Sequence, residues 1–152
     1  MNIEEYLKDQ GVEFEVIEHE QAFTAQEVAA AEHVTGHKFA KPVIADGAEG
    51  SYMLVVPASR HVDFDKASEL AGETLEMAEE GEMKKLFPDC EVGAEPPFGE
   101  EYGLDTFVDT SLAERDEIVF RAGTHDRTIK MGYQDYADIE QPTVGDIAMP
   151  EE

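Results

Sequence analysis

The chain is poor in cysteine, in positive charge and in long apolar runs. Cys90 is its single cysteine, so no internal disulfide can form. No Cys and His cluster has zinc spacing. His33 and His37 are four apart, but Gly36 interrupts the helix that would align them. The longest apolar run, residues 52–58, is far too short to span a bilayer. The start, Met1-Asn2-Ile3-Glu4-Glu5, lacks the apolar stretch of a signal peptide. No Walker-type glycine loop is present, and no Ser-His-Asp arrangement can be argued. These absences lead us to expect a cytoplasmic protein in a reducing compartment, with no metal, no other cofactor and no membrane partner.

Basic residues are the largest deficit: 11 against 36 acids, for a net charge of −25. Such a field repels polyanions at long range, which argues against DNA and against general nucleic-acid binding. Two accounts fit it. The surface is salt-adapted, since molar salt shortens the Debye length to about 3 Å. Or the acids lie on faces away from a small neutral or basic cleft. They are spread along the whole chain, which favours the first account.

At 152 residues the chain has the length of one domain and can bury a core without staples. Residues 3–10 have helical spacing and stop at Gly11. Val12, Phe14 and Val16 alternate with Glu13 and Glu15 as in a half-buried strand. Thr24-Ala25-Gln26-Glu27 is a capping box opening a second helix. Residues 39–45 and 51–57 read as a hairpin around a Gly-rich turn. Asp63 caps a helix that Gly72 ends. Short strands are expected at 74–77, 106–108, 117–121 and 128–131, with helices at 80–87 and 133–139. Without regular strand–helix alternation, the fold class is α+β: a mixed, largely antiparallel sheet flanked by short helices. We expect a domain over residues 1–140 and a loose C-terminal tail over 141–152.

Three segments carry candidate chemistry. Lys41 is the only charge in Phe39-Ala40-Lys41-Pro42-Val43-Ile44-Ala45. A lysine desolvates poorly, so it sits there either as an edge-strand residue whose amine reaches water or as a functional group. Pro42 supports an edge position. Gly93 and Gly99 bracket a loop stiffened by Pro96 and Pro97. It is an ordinary surface loop or one that lets backbone N–H groups approach a ligand. Gly123-Thr124-His125 is good turn composition, and its histidine could also bind a hydroxyl or act as a base.

Taken in order, this lysine strand, the G-x-x-x-P-x-G loop and the A-G-x-H turn resemble the YbaK-like aminoacyl-tRNA deacylases. These are free-standing relatives of the editing insertion of bacterial prolyl-tRNA synthetase. His19 and Thr24, as His-x4-Thr, match the same pattern, and the resemblance runs from about residue 2 to about residue 140. It implies a YbaK-type editing fold and metal-independent hydrolysis of the ester of a tRNA mischarged with alanine, cysteine or serine. Lys41 would be catalytic. Gly93, Pro97 and Gly99 would form the substrate loop, with Gly123 and His125 also binding substrate. Phe39, Val43 and Phe98 would line a small apolar pocket. The implied partners are the 3′ end of aminoacyl-tRNA and an aminoacyl-tRNA synthetase. Two other classes stay open: a non-catalytic module of this fold that binds tRNA ends or an aminoacyl ligand, and an acidic interaction protein. Within the resemblance, Glu95 would set a negative charge beside an anionic substrate unless it points outward.

Overall fold

A computed structural model describes residues 2–18, 38–91 and 93–150. His19, Thr24, and the capping-box helix lie outside the described residues. Helix α1 (Ile3–Asp9) starts where the Asn2 side chain accepts the Glu5 N–H at 3.2 Å, and it buries Ile3 and Leu7. Strand β1 is Phe14–Glu18. The expected hairpin is β2 (Ala40–Asp46) and β3 (Ser51–Pro57), antiparallel, with Lys41 opposite Val56. Asp63 caps α2 (Phe64–Ala71) through the N–H groups of Asp65 and Lys66, and Gly72 ends it at φ 78°. Then come β4 (Glu76–Met77), α3 (Glu80–Leu86) and a 3-10 turn (Gly99–Tyr102). Strand β5 (Asp105–Asp109) leads into the short α4 (Thr110–Ala113). The antiparallel pair β6 (Glu117–Arg121) and β7 (Arg127–Gly132) precedes α5 (Tyr133–Glu140) and β8 (Thr143–Gly145).

The strands form two sheets, ordered β1-β7-β6 and β4-β2-β3-β5-β8. The first is antiparallel. In the second, β3–β5 and β5–β8 are parallel. One face of the five-stranded sheet, with Ala40, Ile44, Met53 and Val55, packs into a core shared with α1, β6, β7 and α5. The other face, with Ala45, Leu54, Val56 and Phe107, packs on Ala67 of α2 and on Ile147 and Ala148. Residues 143–148 therefore belong to the packed structure, where composition suggested a loose tail. Strand β8 pairs with β5, and the Asp109 carboxylate accepts the N–H groups of Ile147 and Ala148 at 3.0 and 3.1 Å. Among the described residues, no helix is long and apolar enough to cross a membrane.

Helix α5 pins the proline loop from below. The Tyr136 hydroxyl donates to the Pro97 carbonyl at 2.6 Å, and the Tyr136 ring meets Phe98 edge-on at 5.1 Å. One turn later Glu140, only 3% exposed, accepts the Glu100 N–H at 3.1 Å and the Thr106 hydroxyl. Burial, with Glu100 and Glu101 nearby, outweighs these two donors and pushes the Glu140 carboxyl from 4.5 up to about 7. The folded state thus holds a proton that the unfolded chain releases. The resulting cost is absent at acid pH, grows as pH rises through this window, and reaches at most about 3 kcal/mol above it. Glu140→Gln should remove that slope. Melting curves between pH 5 and pH 8 that fall equally in both proteins would sink this account.

Candidate active site

Two backbone features isolate Lys41. Among the described residues, on the side of β2 away from β3, β4 pairs with Ala45 and Asp46, and the Ala78 N–H donates to the Ile44 carbonyl at 2.9 Å. At the start of β2 a parallel bridge joins Phe39 to Val119 of β6, with the Val119 N–H donating to the Lys38 carbonyl at 3.1 Å. Among the described residues, no strand pairs with residues 41–43 on that side. Pro42, which has no N–H to offer, stands in this gap. Lys41 is half-buried, and its Nζ donates to the Arg60 carbonyl at 3.2 Å. Burial lowers its pKa below the ordinary lysine value.

The bridge is parallel, so the two chains run on together from it. Two residues further stand Lys41 on one strand and Arg121 on the other. Side chains alternate along a strand. Lys41 and Arg121 therefore share the face of Phe39 and Val119, opposite the face whose Ala40, Ile118 and Phe120 enter the first core. Arg121 is buried, and its Nη1 donates to the Gly93 carbonyl. The Gly93 N–H donates to Glu95 Oε1 at 3.2 Å. Gly93 itself is at φ +85°, and a side chain there would meet the His125 ring at 3.5 Å. Gly123 clasps the loop from both sides. Its N–H donates to the Ala94 carbonyl and its carbonyl accepts the Glu91 N–H, each at 2.9 Å. The His125 N–H donates to Glu91 Oε1 at 3.3 Å. Gly93, Gly123 and His125 are thus held together, beside the strand face that carries Phe39, Lys41 and Val43.

Pro97, Phe98 and Gly99 stand apart from that group. The Phe98 ring is fully buried among Tyr6, Phe120 and Tyr136, so it is core and lines no open pocket. At Gly99 a Cβ would lie 2.6 Å from Thr106 Oγ1 and 3.0 Å from Met53 Cβ, so that glycine serves packing. Pro97 is buried with its carbonyl on Tyr136. The bare N–H groups expected of this loop are also largely spent. Gly93 donates to Glu95, Ala94 to the Glu91 carbonyl at 3.0 Å, and Phe98 to the Pro96 carbonyl at 2.9 Å.

Glu95 turns inward and is 3% exposed. Desolvation pushes its carboxyl pKa up, opposed by its own N–H and that of Gly93 and by the charges of Arg121 and His125. Arg121 escaped the sequence reading, and Glu95 entered it only as a charge that would have to point outward. The available signal was the one that found Lys41: Arg121 is a charge closing an apolar strand, Ile118-Val119-Phe120. Cys90 is half-buried against Tyr102, with burial pushing the thiol's pKa up. Among the described residues, no group of three or more His, Cys, Asp or Glu side chains is arranged to hold a metal ion.

Residues 19–139 match the family model of the aminoacyl-tRNA editing domain. The chain belongs to this family. It is 29% identical over 142 residues to the multifunctional Ser/Thr-tRNA deacylase ProXp-y of Escherichia coli (strain K12), covering 90% of this chain and 84% of that protein. It shares its fold with the crystal structure of a hypothetical protein, APE2540, at a TM-score of 0.90 and 22% identity, over 98% of this chain and 100% of that one. The same holds for a candidate trans-editing enzyme for prolyl-tRNA synthetase, at a TM-score of 0.87 and 23% identity over 98% and 96% of the two chains. The expected α+β editing fold is the fold observed.

The grip of Arg121 on Gly93 is testable by unfolding. Arg121→Leu strands a buried carboxylate and a carbonyl, and should cost about 3–5 kcal/mol. Arg121→Lys keeps the charge and should cost clearly less. Urea titration would discard the grip if the Leu variant fell within about 1 kcal/mol of wild type.

Proposed function

We propose that the protein is an aminoacyl-tRNA deacylase that acts in trans on tRNA carrying a wrong small amino acid. One observation carries the reading. In a chain of the editing family, the partly desolvated Lys41 shares a strand face with Arg121, which grips the Gly93 loop beside His125. Alanine, cysteine and serine are the candidate amino acids. Serine comes first, because the E. coli relative is named for serine and threonine. Phe39 and Val43 flank Lys41 on its face and would offer a short apolar wall. Such a site answers a limit of selection by binding, where one methylene is worth only about 1–3 kcal/mol.

In this mechanism the Lys41 ammonium faces the aminoacyl ester and the adjacent phosphate at the tRNA 3′ end. Low hydration strengthens its pull on the charge that develops on the carbonyl oxygen. Gly93, Gly123 and His125 position the terminal adenosine. Water adds to the carbonyl carbon. The bond from that carbon to the ribose oxygen breaks, and the ribose oxygen takes the proton that the attacking water gives up. The products of hydrolysis are a free amino acid and a tRNA with its terminal hydroxyl restored. The enzyme supplies position and electrostatics, with no metal. A synthetase that hands over its mischarged product fits as a partner.

The test is single-turnover deacylation of tRNAs charged with alanine, cysteine, serine and threonine. Lys41→Ala should keep the fold, by melting curves, and lose about 10²–10³ in rate, as when one oxyanion donor is removed. Lys41→Arg should restore little, because the guanidinium differs in shape and reach. Wild-type rates in both variants would remove Lys41 from the site. Turnover should survive EDTA. Loss in EDTA with recovery on adding zinc would overturn the metal-free mechanism.

A further inference from the structure

A chain with 36 acids among 152 residues has an acid about every four positions. Its two longest acid-free stretches are residues 33–45 and 50–62. Their described parts pair with each other as β2 and β3. They bring Lys38, Lys41 and Arg60 to one end of the hairpin. The Ala58 N–H donates to the Phe39 carbonyl at 2.8 Å there, and Lys41 Nζ reaches the Arg60 carbonyl. Two of the acids that bound the stretches are occupied. Asp46 accepts the Ser51 hydroxyl at 2.7 Å, and Asp63 caps α2.

Elsewhere three cations are ion-paired, and four others have acids close by in sequence. Lys66 pairs with Asp146, Arg127 with Glu4 and Glu18, and Lys130 with Glu15 and Glu117. Lys8 precedes Asp9, Lys84 and Lys85 follow Glu79, Glu80 and Glu82, and Arg115 stands between Glu114 and Asp116. At the β2–β3 end, among the described residues, Lys38, Lys41 and Arg60 have no carboxylate within ion-pair distance, and the Arg60 Nε is buried without a hydrogen-bond partner. Burying such a donor is costly unless something completes it. A planar guanidinium with an unused Nε suits a phosphate, which can take it bidentately.

We propose that this corner receives phosphodiesters of the single-stranded 3′ end of tRNA, with Arg60 and Lys38 as phosphate-binding residues next to Lys41. The proposal rests on the deacylase reading for its ligand. It also accounts for how a chain of net charge −25 meets a polyanion. At physiological salt the Debye length is about 8 Å, so a phosphate in this corner senses the nearby cations more than the remote acids.

Two substrates bearing the same amino acid separate the contributions: charged tRNA, and the aminoacyl ester of adenosine, which has no phosphate. Arg60→Ala should raise the half-saturating tRNA concentration about tenfold, the size of one charge-assisted contact. It should also make the log–log dependence of tRNA binding on salt shallower by about 0.7, one phosphate contact on a single strand. Lys38→Ala should act in the same direction, and Arg60→Lys should recover part of the loss. The penalty on the adenosine ester should be at least several-fold smaller. Lys84→Ala, remote from this corner, should move neither substrate. Equal penalties on both substrates, or unchanged tRNA saturation in Arg60→Ala, overturn the proposal. If the wild type hydrolyses neither substrate, the deacylase reading fails. Titration of uncharged CCA-ended tRNA against salt then still decides the phosphate contacts: a shallower slope in Arg60→Ala supports them, and an unchanged slope overturns them.

Discussion

The arrangement depends on one hydrogen-bonded junction, the parallel bridge between Phe39 and Val119. Each sheet could satisfy its own ladder without the other. The bridge locks the phase of the β2 side chains against those of β6. A one-residue slip would turn Lys41 into the first core and Ala40 out of it, since alternate residues face opposite sides. The burial of Phe39 at 1% and Val119 at 1% opposes such a slip, because it would exchange apolar for charged surface in the interior. Fold and site are therefore set by the same contact.

The loop that meets this junction is held at both ends by different means. At residues 97–100 it is anchored by α5, through Tyr136, Phe98 and Glu140. At residues 91–95 it is clasped by backbone hydrogen bonds to Gly123 and by Arg121. Most of its polar backbone is satisfied inside this frame. A loop so tied does not have to be ordered by its ligand, and this lowers the entropic cost of binding.

How legible this was in the sequence varies with the range of the interaction. The hairpin, the Asp63 cap and the Gly72 stop are local signals and are observed. Lys41 stood out because one charge interrupted an apolar run, and the family resemblance agrees with the match over residues 19–139. The Gly-Pro loop was harder. Gly93 and Gly99 carry the same local meaning, yet one faces His125 and the other is wedged against Thr106 and Met53. Only contacts distant in sequence separate them. Glu95 looked like a liability because its neighbour Arg121 is 26 residues away in the chain and invisible to local pattern. Residues 143–148 read as tail because a three-residue strand has no measurable period. They are held by β5 and the Asp109 carboxylate instead.

The gap beside residues 41–43 has a consequence for the behaviour of the protein in solution. A stretch of strand without a partner among the described residues can pair with another chain, and most of its neighbours here are apolar. A proline and a charged side chain are the usual guards of such an edge, and Pro42 and Lys41 occupy the opening. On the proposed function, the same ammonium would have two duties: it faces the substrate and it discourages self-association. Replacing it with a small neutral residue removes one guard of the edge, so the oligomeric state of such a variant bears directly on how any change in its activity is read.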